Sequence, residues 1–379
     1  MRVEPPVPAE VLAAIRAPFA DMGAQAIDPP VVQPLGLILD LSGEAMRERL
    51  ILVQADGGQE AALRPDFTIP AARLHIDSHK AGGRYFYEGK AFRAAPRGRE
   101  AYEEFLQIGL EVFETGAAPD ADAEIAGLAW RAAAAGGRDD LTLHLGDVAL
   151  FAAFVDTLRL PEPLAARVKR AFSSPRRLRA LLHPPAPESA PAAPAGERLA
   201  TLLAGLPEAE AAAALDELWA LAGVDPVGGR SAAEIVHRLA ERSAAAKAPD
   251  LDADQAALIG RFLAISDQPA RALDAVARLA GPGGATLEAA LKGWARRLSA
   301  LEAEGAPADR MRLSTAFGRD FGYYDGLLFE VTSAALGEHR PVAAGGRYDS
   351  LPARLGAHIA SSAVGCMVRP GRAWKGGDA

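Results

Sequence analysis

The sequence of 379 residues is short of cysteine, aromatic residues, basic charge and long apolar runs. Its single cysteine, Cys366, excludes an internal disulfide and a metal site built from several thiolates. Aromatic residues make up 6% of the chain, and no apolar run approaches the roughly 20 residues of a membrane span. Lysine and arginine number 41 against 49 aspartates and glutamates, so the net charge of −8 argues against a broad nucleic-acid surface.

The composition is otherwise that of a globular protein, with 50% hydrophobic residues and enough length for about two domains. The first 23 residues form an amphipathic pattern that contains acidic residues, which is not the pattern of a signal peptide. We therefore expect a cytoplasmic protein that has neither a membrane nor a nucleic-acid partner.

The most informative stretch runs from residue 84 to residue 114. Residues 84–92 are aromatic and alternating, and residues 104–113 alternate with period two. Pro, Gly and charged residues lie between them. This pattern predicts a β-hairpin with an extended loop.

The second strand of this hairpin carries polar groups opposite an aliphatic face. The polar face consists of Phe105, Gln107, Gly109, Glu111 and Phe113. Gln107 and Glu111 are four residues apart, about 13 Å along a strand, and Gly109 lies between them without a side chain. Two interpretations follow: a floor for a small polar molecule, or the commoner half-exposed face that is wetted by water.

The elements before the hairpin follow from similar patterns. Residues 8–23 predict a helix, and residues 26–40 predict an extended stretch interrupted by prolines. Residues 50–76 predict two strands joined by an Asp-Gly-Gly turn, and then a helix from about Thr68. Asp66 lies where strand becomes helix, and an aspartate at such a place is most often a plain N-cap.

The second half of the chain divides into an insertion and a return to the core. A helix, strand and helix follow the hairpin, and a Pro/Ala-rich linker then occupies residues 182–198. The chain up to residue 305 is rich in Ala and Leu at helical spacing. We predict a discontinuous core of residues 1–160 and 306–379, and residues 161–305 as linker and helical insertion of five or six helices.

The hairpin resembles motif 2 of the class II aminoacyl-tRNA synthetases, specifically of the histidyl-tRNA synthetase family. Its first strand ends in Phe92-Arg93, and its second contains Phe-x-Gln-x-Gly-x-Glu at residues 105–111. LRPDFT at residues 63–68 is similar to the family's LRPEGT, and GRDFGYYDG at residues 318–326 is similar to its RGLDYYTG signature. The following AGGRYDSL is similar to the family's AGGRYDGL.

This resemblance implies an α+β fold with a mixed, mainly antiparallel sheet flanked by helices, and an inserted all-helical subdomain. It also implies that residues 26–40 form a dimer interface. The site that it implies for free L-histidine consists of Asp66, Thr68, Arg93, Gln107, Glu111, Arg319, Tyr323 and Tyr324.

Each group of histidine has partners in this implied set. The carboxylate, hydroxyl and amide side chains accept hydrogen bonds from the ammonium, and Arg93 or Arg319 binds the carboxylate. Glu111 and Tyr324 bind the imidazole. Considered singly, Arg319 would form an ordinary surface salt bridge and Tyr324 an ordinary buried aromatic contact.

The nucleotide half of the site departs from the family pattern. Ala95 replaces the glutamate that holds adenine in the family, and Ala101 and Glu103 replace loop arginines. Arg372 is in register with the family's ATP arginine, but Gly371 stands where the family has an acid. Adenylation requires cations against the developing phosphoryl charge, so we expect nucleotide activation to be lost.

The sequence also ends where the anticodon-binding domain of the histidyl-tRNA synthetases would follow. This combination is similar to the regulatory subunits of ATP phosphoribosyltransferase, which are synthetase paralogues in the first step of histidine biosynthesis. It implies a non-catalytic subunit without cofactor or metal, a dimer that joins a short-form catalytic subunit and mediates feedback by L-histidine. The alternatives are a histidyl-tRNA synthetase that activates histidine with ATP, and an orphan amino-acid-binding sensor.

Overall fold

The computed structural model describes most of the chain as two compact units. The described residues are 1–54, 60–95, 101–114, 119–183, 202–203, 205–222, 232–233, 235–237, 239, 250–281, 284–317, 322–357 and 362–377. The first unit comprises Met1–Phe154 and Arg261–Ala379, and the second comprises Val155–Gly260.

The described strands all belong to the first unit. In chain order they are β1 (Gln25–Ile27), β2 (Val32–Pro34), β3 (Leu52–Gln54), β4 (Glu60–Leu63), β5 (Gly83–Phe92), β6 (Glu104–Glu114), β7 (Leu141–Asp147), β8 (Ser266–Asp267), β9 (Met311–Ser314), β10 (Leu327–Ser333), β11 (Ala343–Arg347) and β12 (Ser362–Val368). Nine of them form a sheet in the order β1-β5-β6-β12-β11-β10-β7-β9-β8, and β2-β4-β3 form a small second sheet.

The described α-helices are α1 (Ala9–Ala20), α2 (Leu35–Ser42), α3 (Thr68–Asp77), α4 (Pro119–Ala134), α5 (Val148–Thr157), α6 (Glu162–Ala171), α7 (Pro175–Leu182), α8 (Glu208–Ala222), α9 (Ala253–Leu263), α10 (Pro269–Ala280), α11 (Ala285–Ala303), α12 (Ser350–Arg354) and α13 (Pro370–Ala373). The unit boundaries fall within α5 and α9. Within the described part of the chain, every helix is too short or too polar to cross a membrane.

The large sheet is mixed but mainly antiparallel. Its pairs β1–β5 and β7–β9 are parallel, whereas its other neighbouring strands run antiparallel. Helix α4 packs against β10, β11 and β12. The α+β architecture with a mainly antiparallel sheet that the family resemblance implies is therefore confirmed.

The predicted hairpin is formed by β5 and β6, which pair antiparallel over ten residues of register. Both faces of β6 are buried, because Ile108 and Leu110 on one face and Gln107 and Glu111 on the other are at most 1% exposed. Burial on both faces excludes the interpretation of a water-wetted polar face. Two polar side chains are thus enclosed at the centre of the core.

The stretch of residues 26–40 is only partly extended, so that prediction is wrong beyond Pro34. Helix α2 begins at Leu35 and buries Leu35, Ile38 and Leu39 against the core. Pro34 is the N-cap of this helix. The prolines end before the helix starts, and an aliphatic run at helical spacing then outweighs the extended preference that they impose.

The other predicted elements near the site are confirmed. Helix α1 lies within residues 8–23, and α3 begins at Thr68 as expected. The Asp-Gly-Gly turn and the middle of the hairpin loop, residues 55–59 and 96–100, lie outside the described residues.

Residues 261–305 pack with the first unit rather than with the second. Helix α11 contacts α4, and the indole N–H of its buried Trp294 donates to an Asp147 carboxylate oxygen at 2.7 Å. Arg297 of the same helix donates to Asp122 of α4 at 2.6 Å. These buried polar contacts attach α11 to the first unit, whose second segment begins at Arg261. The division into a core and a helical insertion stays a prediction.

The second unit is helical in its described part. Its small apolar cluster consists of Leu203, Ala211, Leu215, Ala232 and Val236. Most of the Pro/Ala-rich linker and most of residues 223–249 lie outside the described residues. The number of helices in the insertion, five or six, therefore stays a prediction.

Candidate functional site

Glu111 is the centre of the polar group enclosed by the large sheet. Its side chain extends from β6 and accepts a hydrogen bond from the hydroxyl of Thr68 at 2.8 Å. The hydroxyl of Tyr348 donates to the other carboxyl oxygen, and the hydroxyl of Tyr87 lies 3.5 Å from the first. Within the described residues, no ion pair forms at Glu111. Three neutral donors therefore hold one buried carboxyl group.

This environment favours a protonated carboxyl group. Burial raises the pKa of Glu111, the donors Tyr348, Thr68 and Tyr87 lower it, and the charge of Asp66 raises it, with the net result of a pKa of about 8. Burial also raises the pKa values of Tyr87 and Tyr348 well above those of ordinary phenols. The two tyrosines thus remain donors at neutral pH, where Glu111 is mostly protonated but can still ionise when a ligand favours the carboxylate.

A glycine makes room for this carboxyl group. Gly365 of β12 lies opposite Glu111 in the sheet register. A Cβ atom at Gly365 would overlap one carboxyl oxygen of Glu111. Only a residue without a side chain allows that approach, so Gly365 forms a bare wall beside the buried group.

The carboxyl group borders a cleft with about 310 Å3 of empty space, including its open mouth. Strands β6, β11 and β12, the start of α3 and the segment before β10 all contribute to it. The lining residues are Asp66, Thr68, Tyr87, Arg93, Glu111, Tyr323, Tyr324, Ala344, Gly345, Gly365, Cys366 and Met367.

Tyr323 and Tyr324 form an aromatic wall at this cleft, and the buried ring of Tyr348 packs against them. The ring centroids of Tyr323 and Tyr324 are 4.7 Å apart, and those of Tyr323 and Tyr348 are 6.0 Å apart. Tyr323 is buried, whereas Tyr324 is partly exposed. Such a wall combines apolar ring surface with polar hydroxyl groups, which suits a flat, polar ring in a ligand.

Gln107 lies behind the cleft rather than on its lining. It is fully buried on the same face of β6 as Glu111, opposite Gly89 of β5. Neither polar atom of its side-chain amide has a hydrogen-bond partner. An unsatisfied buried polar group costs about 1–3 kcal/mol, so this amide favours the entry of a polar ligand or of water.

Asp66 and Arg93 complete the polar rim. Asp66 is buried one residue before the N-cap of α3, which is Phe67 and which forms no side-chain capping bond. The N-cap interpretation of Asp66 is therefore wrong. The Nε of Arg93 donates to the carbonyl of Pro65 at 2.8 Å, which ties the end of β5 to the residue before Asp66.

The structure thus brings six of the eight predicted site residues to one cleft and places Gln107 directly behind it. Arg319 lies outside the described residues. The predicted bare floor at Gly109 is wrong, because the hydroxyl of Tyr87 and the carbonyl of Cys366 occupy the space beside its Cα. Tyr87 faces Gly109 across the hairpin register, and small residues facing aromatic ones are a signal that could have identified it.

The sequence patterns did not indicate Tyr348, although it lies in the AGGRYDSL motif, or Gly365 as site residues. Both reach Glu111 across more than two hundred residues of chain, and no local pattern encodes that contact. Cys366 also lines the cleft, but burial raises the pKa of its thiol far above neutral pH. The thiol therefore stays neutral and is unsuited to nucleophilic chemistry. Among the described residues, no group of His, Cys, Asp and Glu could hold a metal ion.

Comparisons by sequence give one consistent result. A family model described as histidyl-tRNA synthetase matches residues 8–242 and 230–371. The ATP phosphoribosyltransferase regulatory subunit of Mesorhizobium japonicum is 37% identical over 362 residues, which is 92% of each chain. That of Allorhizobium ampelinum is 38% identical over 354 residues, again 92% of each chain.

Comparisons by structure agree on the fold. A Bacillus halodurans protein described as an ATP phosphoribosyltransferase regulatory subunit/histidyl-tRNA synthetase has a TM-score of 0.63 at 18% identity. The match covers 96% of this chain and 77% of that one. A histidyl-tRNA synthetase from Nostoc has a TM-score of 0.60 at 16% identity, with coverage of 97% and 72%. The class II synthetase architecture is thus shared with both.

Proposed function

The chain belongs to the histidyl-tRNA synthetase family and, within it, to the ATP phosphoribosyltransferase regulatory subunits, and from this premise we propose that it is the histidine-sensing subunit of its complex. It is a non-catalytic, regulatory subunit of ATP phosphoribosyltransferase and acts in histidine biosynthesis. The finer proposal concerns the ligand and the partners of this subunit.

The observation that carries the ligand proposal is the enclosed carboxyl group of Glu111. Its pKa near 8 allows it to accept from an imidazole N–H as a carboxylate, or to donate to an imidazole nitrogen as an acid. Tyr324 borders the same cleft and offers a hydroxyl group for the second ring nitrogen. The flat imidazole of L-histidine fits an aromatic wall with two such partners.

The amino-acid end of histidine also finds matching groups. Asp66, Thr68 and Gln107 offer oxygen acceptors for the ammonium, and all three are buried. Arg93 at the rim offers a guanidinium for the carboxylate, as does Arg319 in the sequence-based proposal. We propose these residues, with Glu111, Tyr323 and Tyr324, as the histidine site.

The nucleotide half supports a role without catalysis. Glu103, which replaces an arginine of the family pattern, accepts from the backbone N–H of Ala95 at 3.4 Å. A carboxylate at this place supplies negative charge where the family pattern has a cation, so it opposes the binding of phosphate groups. We infer that ATP is not activated here, and that histidine bound in the cleft is a signal rather than a substrate.

We also propose a dimer that joins a short-form catalytic subunit. Val31, Val32 and Leu52 are 39–50% exposed on or beside the outer strands of the small sheet. Exposed aliphatic side chains on strand edges favour association with another chain. This surface lies within and beside the stretch of residues 26–40, which the family resemblance associates with dimerisation.

Mixing the purified chain with a short-form catalytic subunit of ATP phosphoribosyltransferase tests the partner proposal. We expect co-sedimentation, a rise in phosphoribosyltransferase activity and inhibition of that activity by L-histidine. Separate sedimentation of the two proteins with unchanged activity would refute the partnership.

Calorimetric titration of L-histidine into the mixed complex tests the ligand proposal. Glu111→Ala should weaken binding about tenfold to a hundredfold, because a hydrogen bond to a charged group contributes about 1.5–3 kcal/mol. Glu60→Ala, at an exposed position of β4, is the matched control and should leave the affinity unchanged. Equal affinities of all three proteins would remove Glu111 from the site.

A further inference from the structure

A buried carboxylate on α4 links the end of β11 to α11. Asp122 is 1% exposed, and its Oδ1 accepts a hydrogen bond from Nε of Arg347 at 2.7 Å. Its other oxygen, Oδ2, accepts from Nε and Nη2 of Arg297 at 2.9 and 2.6 Å. One carboxylate therefore holds two guanidinium groups, of which one comes from the sheet and one from α11.

The residues on either side of Tyr348 are joined by a salt bridge. Nη1 of Arg347 donates to Oδ1 of Asp349 at 2.9 Å, and the same oxygen accepts from the N–H of Ala363 at 2.7 Å. The N–H of Tyr348 donates to the carbonyl of Ala363 at 2.8 Å. Because side chains alternate along extended backbone, Arg347 points towards α4, and Tyr348 points towards Glu111 on the other face of the sheet.

Arg347 also supports the segment that carries the aromatic wall. Its carbonyl accepts from the N–H of Asp325 at 3.1 Å, and its aliphatic stem lies against Gly326, where a Cβ atom would lie 3.0 Å from the Cδ of Arg347. Oδ1 of Asp325 accepts from the N–H of Asp349 at 2.9 Å. Since Asp325 directly follows Tyr324, these contacts hold the chain beside the wall.

We propose that Arg347 is a positioning residue, which fixes the hydroxyl of Tyr348 on the carboxyl group of Glu111. Arg347 does not line the cleft, so it acts on Glu111 through Tyr348 rather than by contact. Asp122 and Asp349 hold its guanidinium on two sides, and a planar fork of donors suits this arrangement better than the single ammonium of a lysine. An ion network that only stabilises the fold would lower the stability when broken and leave Glu111 unchanged.

Tyr348 influences the acidity of Glu111, a proposed ligand contact, so the role of Arg347 rests on the proposed function where it concerns histidine. It does not rest on that function where it concerns the titration of Glu111, which is measured without ligand. Burial raises the pKa of Glu111, and the hydrogen bond from Tyr348 is the largest influence that lowers it. Without that bond the carboxyl group keeps its proton to higher pH. The titratable and charged groups around Glu111 are Asp66, Tyr87, Arg93, Tyr324, Tyr348 and Cys366.

Carbon-13 NMR of the full chain, labelled in its glutamate side chains, measures the titration midpoint of Glu111, whose signal is assigned by its absence in Glu111→Gln. Tyr348→Phe should raise this midpoint by about one pH unit or more, because the carboxylate loses a donor. Arg347→Met should raise it by at least about half a unit, because Tyr348 loses its support. Arg296→Met, which breaks an exposed ion pair between α11 and Asp120, is the matched control and should leave the midpoint unchanged.

Two further variants separate positioning from the effect of charge. Arg347→Lys keeps the positive charge and loses the fork, so it should still raise the midpoint, whereas a purely electrostatic effect of Arg347 would leave it unchanged. Adding Arg347→Met to Tyr348→Phe should raise the midpoint no further, because the hydroxyl that Arg347 positions is already absent. A further rise in the double variant would mean that Arg347 acts on Glu111 directly, and it would overturn the proposal.

An unchanged midpoint in Arg347→Met and Arg347→Lys, together with a lower unfolding temperature, would also overturn the proposal and leave a structural ion network. Arg347→Lys decides the case if Arg347→Met does not fold. In a separate calorimetric titration, Arg347→Met should bind L-histidine about threefold to tenfold more weakly than Arg296→Met. A wild type that binds no L-histidine would refute the proposed function, while the midpoints of Glu111 would still decide the role of Arg347.

Discussion

Replacing Glu111 with glutamine tests whether this buried carboxyl group is protonated in the folded chain. Its pKa is about 8 in the folded chain and 4.5 for an ordinary glutamate. The folded state therefore holds a proton that the unfolded state releases at lower pH. The stability linked to this proton is fully present below about pH 4.5 and is lost as the pH rises through about 8.

The magnitude follows from the difference between the two pKa values. It corresponds to about 5 kcal/mol over the whole window, or about 1.4 kcal/mol for each pH unit between pH 4.5 and 8. Glutamine does not titrate, its carbonyl can still accept from Thr68, and its amide can donate to the hydroxyl of Tyr348. As the pH rises, the wild type should lose stability and Glu111→Gln should not. The free energy of unfolding of Glu111→Gln should therefore increase relative to that of the wild type.

Urea unfolding of both proteins at several pH values between about 5 and 8 measures this difference. Glu60→Gln, which changes an exposed carboxylate, should follow the wild type across the same range. A difference between Glu111→Gln and the wild type that does not change with pH would refute the protonated carboxyl group. A flat difference is also what a carboxylate that stays ionised across this pH range would give.

Three further predictions concern the cleft and its neighbourhood. Binding of L-histidine at about pH 7 should release up to one proton if Glu111 accepts from the imidazole N–H, because that contact favours the ionised carboxylate. Calorimetry in buffers of different ionisation enthalpy measures the release, and its absence would mean that Glu111 contacts the imidazole as an acid or not at all. Gly365→Ala should lower the free energy of unfolding by about 1–3 kcal/mol, because the new Cβ atom overlaps the carboxyl group of Glu111. The control Gly260→Ala places its Cβ atom in open space on a helix and should raise the free energy of unfolding slightly. Equal urea midpoints of the two variants would contradict the overlap with Glu111. The chain should show no histidine-dependent ATP–pyrophosphate exchange, because Ala95 and Glu103 replace nucleotide-binding groups; robust exchange would favour a synthetase.

The local elements around the site could be predicted from the sequence. Alternation with period two specified β5 and β6, and the junction at Asp66 and Thr68 marked the start of α3. These features depend on backbone periodicity and on neighbours within a few residues, which a sequence carries directly. The family resemblance then indicated site residues in separate segments of the chain, and the structure places six of their side chains at one cleft.

The start of α2 shows where local patterns compete. Prolines favour extended backbone up to Pro34, and the aliphatic residues that follow favour a buried helix. The sequence holds both preferences, and the boundary between them depends on which residues the core can bury. Only packing against the rest of the first unit decides that the chain becomes helical at Leu35.

What the sequence determined by itself is the β5–β6 hairpin, the starts of α1 and α3, the acidic charge balance and the departures in the nucleotide half. What only the tertiary structure decided is which distant groups meet: Tyr348 and Gly365 at Glu111, and Glu4 at Arg369. The physical reason is that strand order in a sheet brings together residues separated by hundreds of positions. Contacts between such distant residues determine the free-energy cost of burying a charged group, and the local periodicity of the sequence does not encode those contacts.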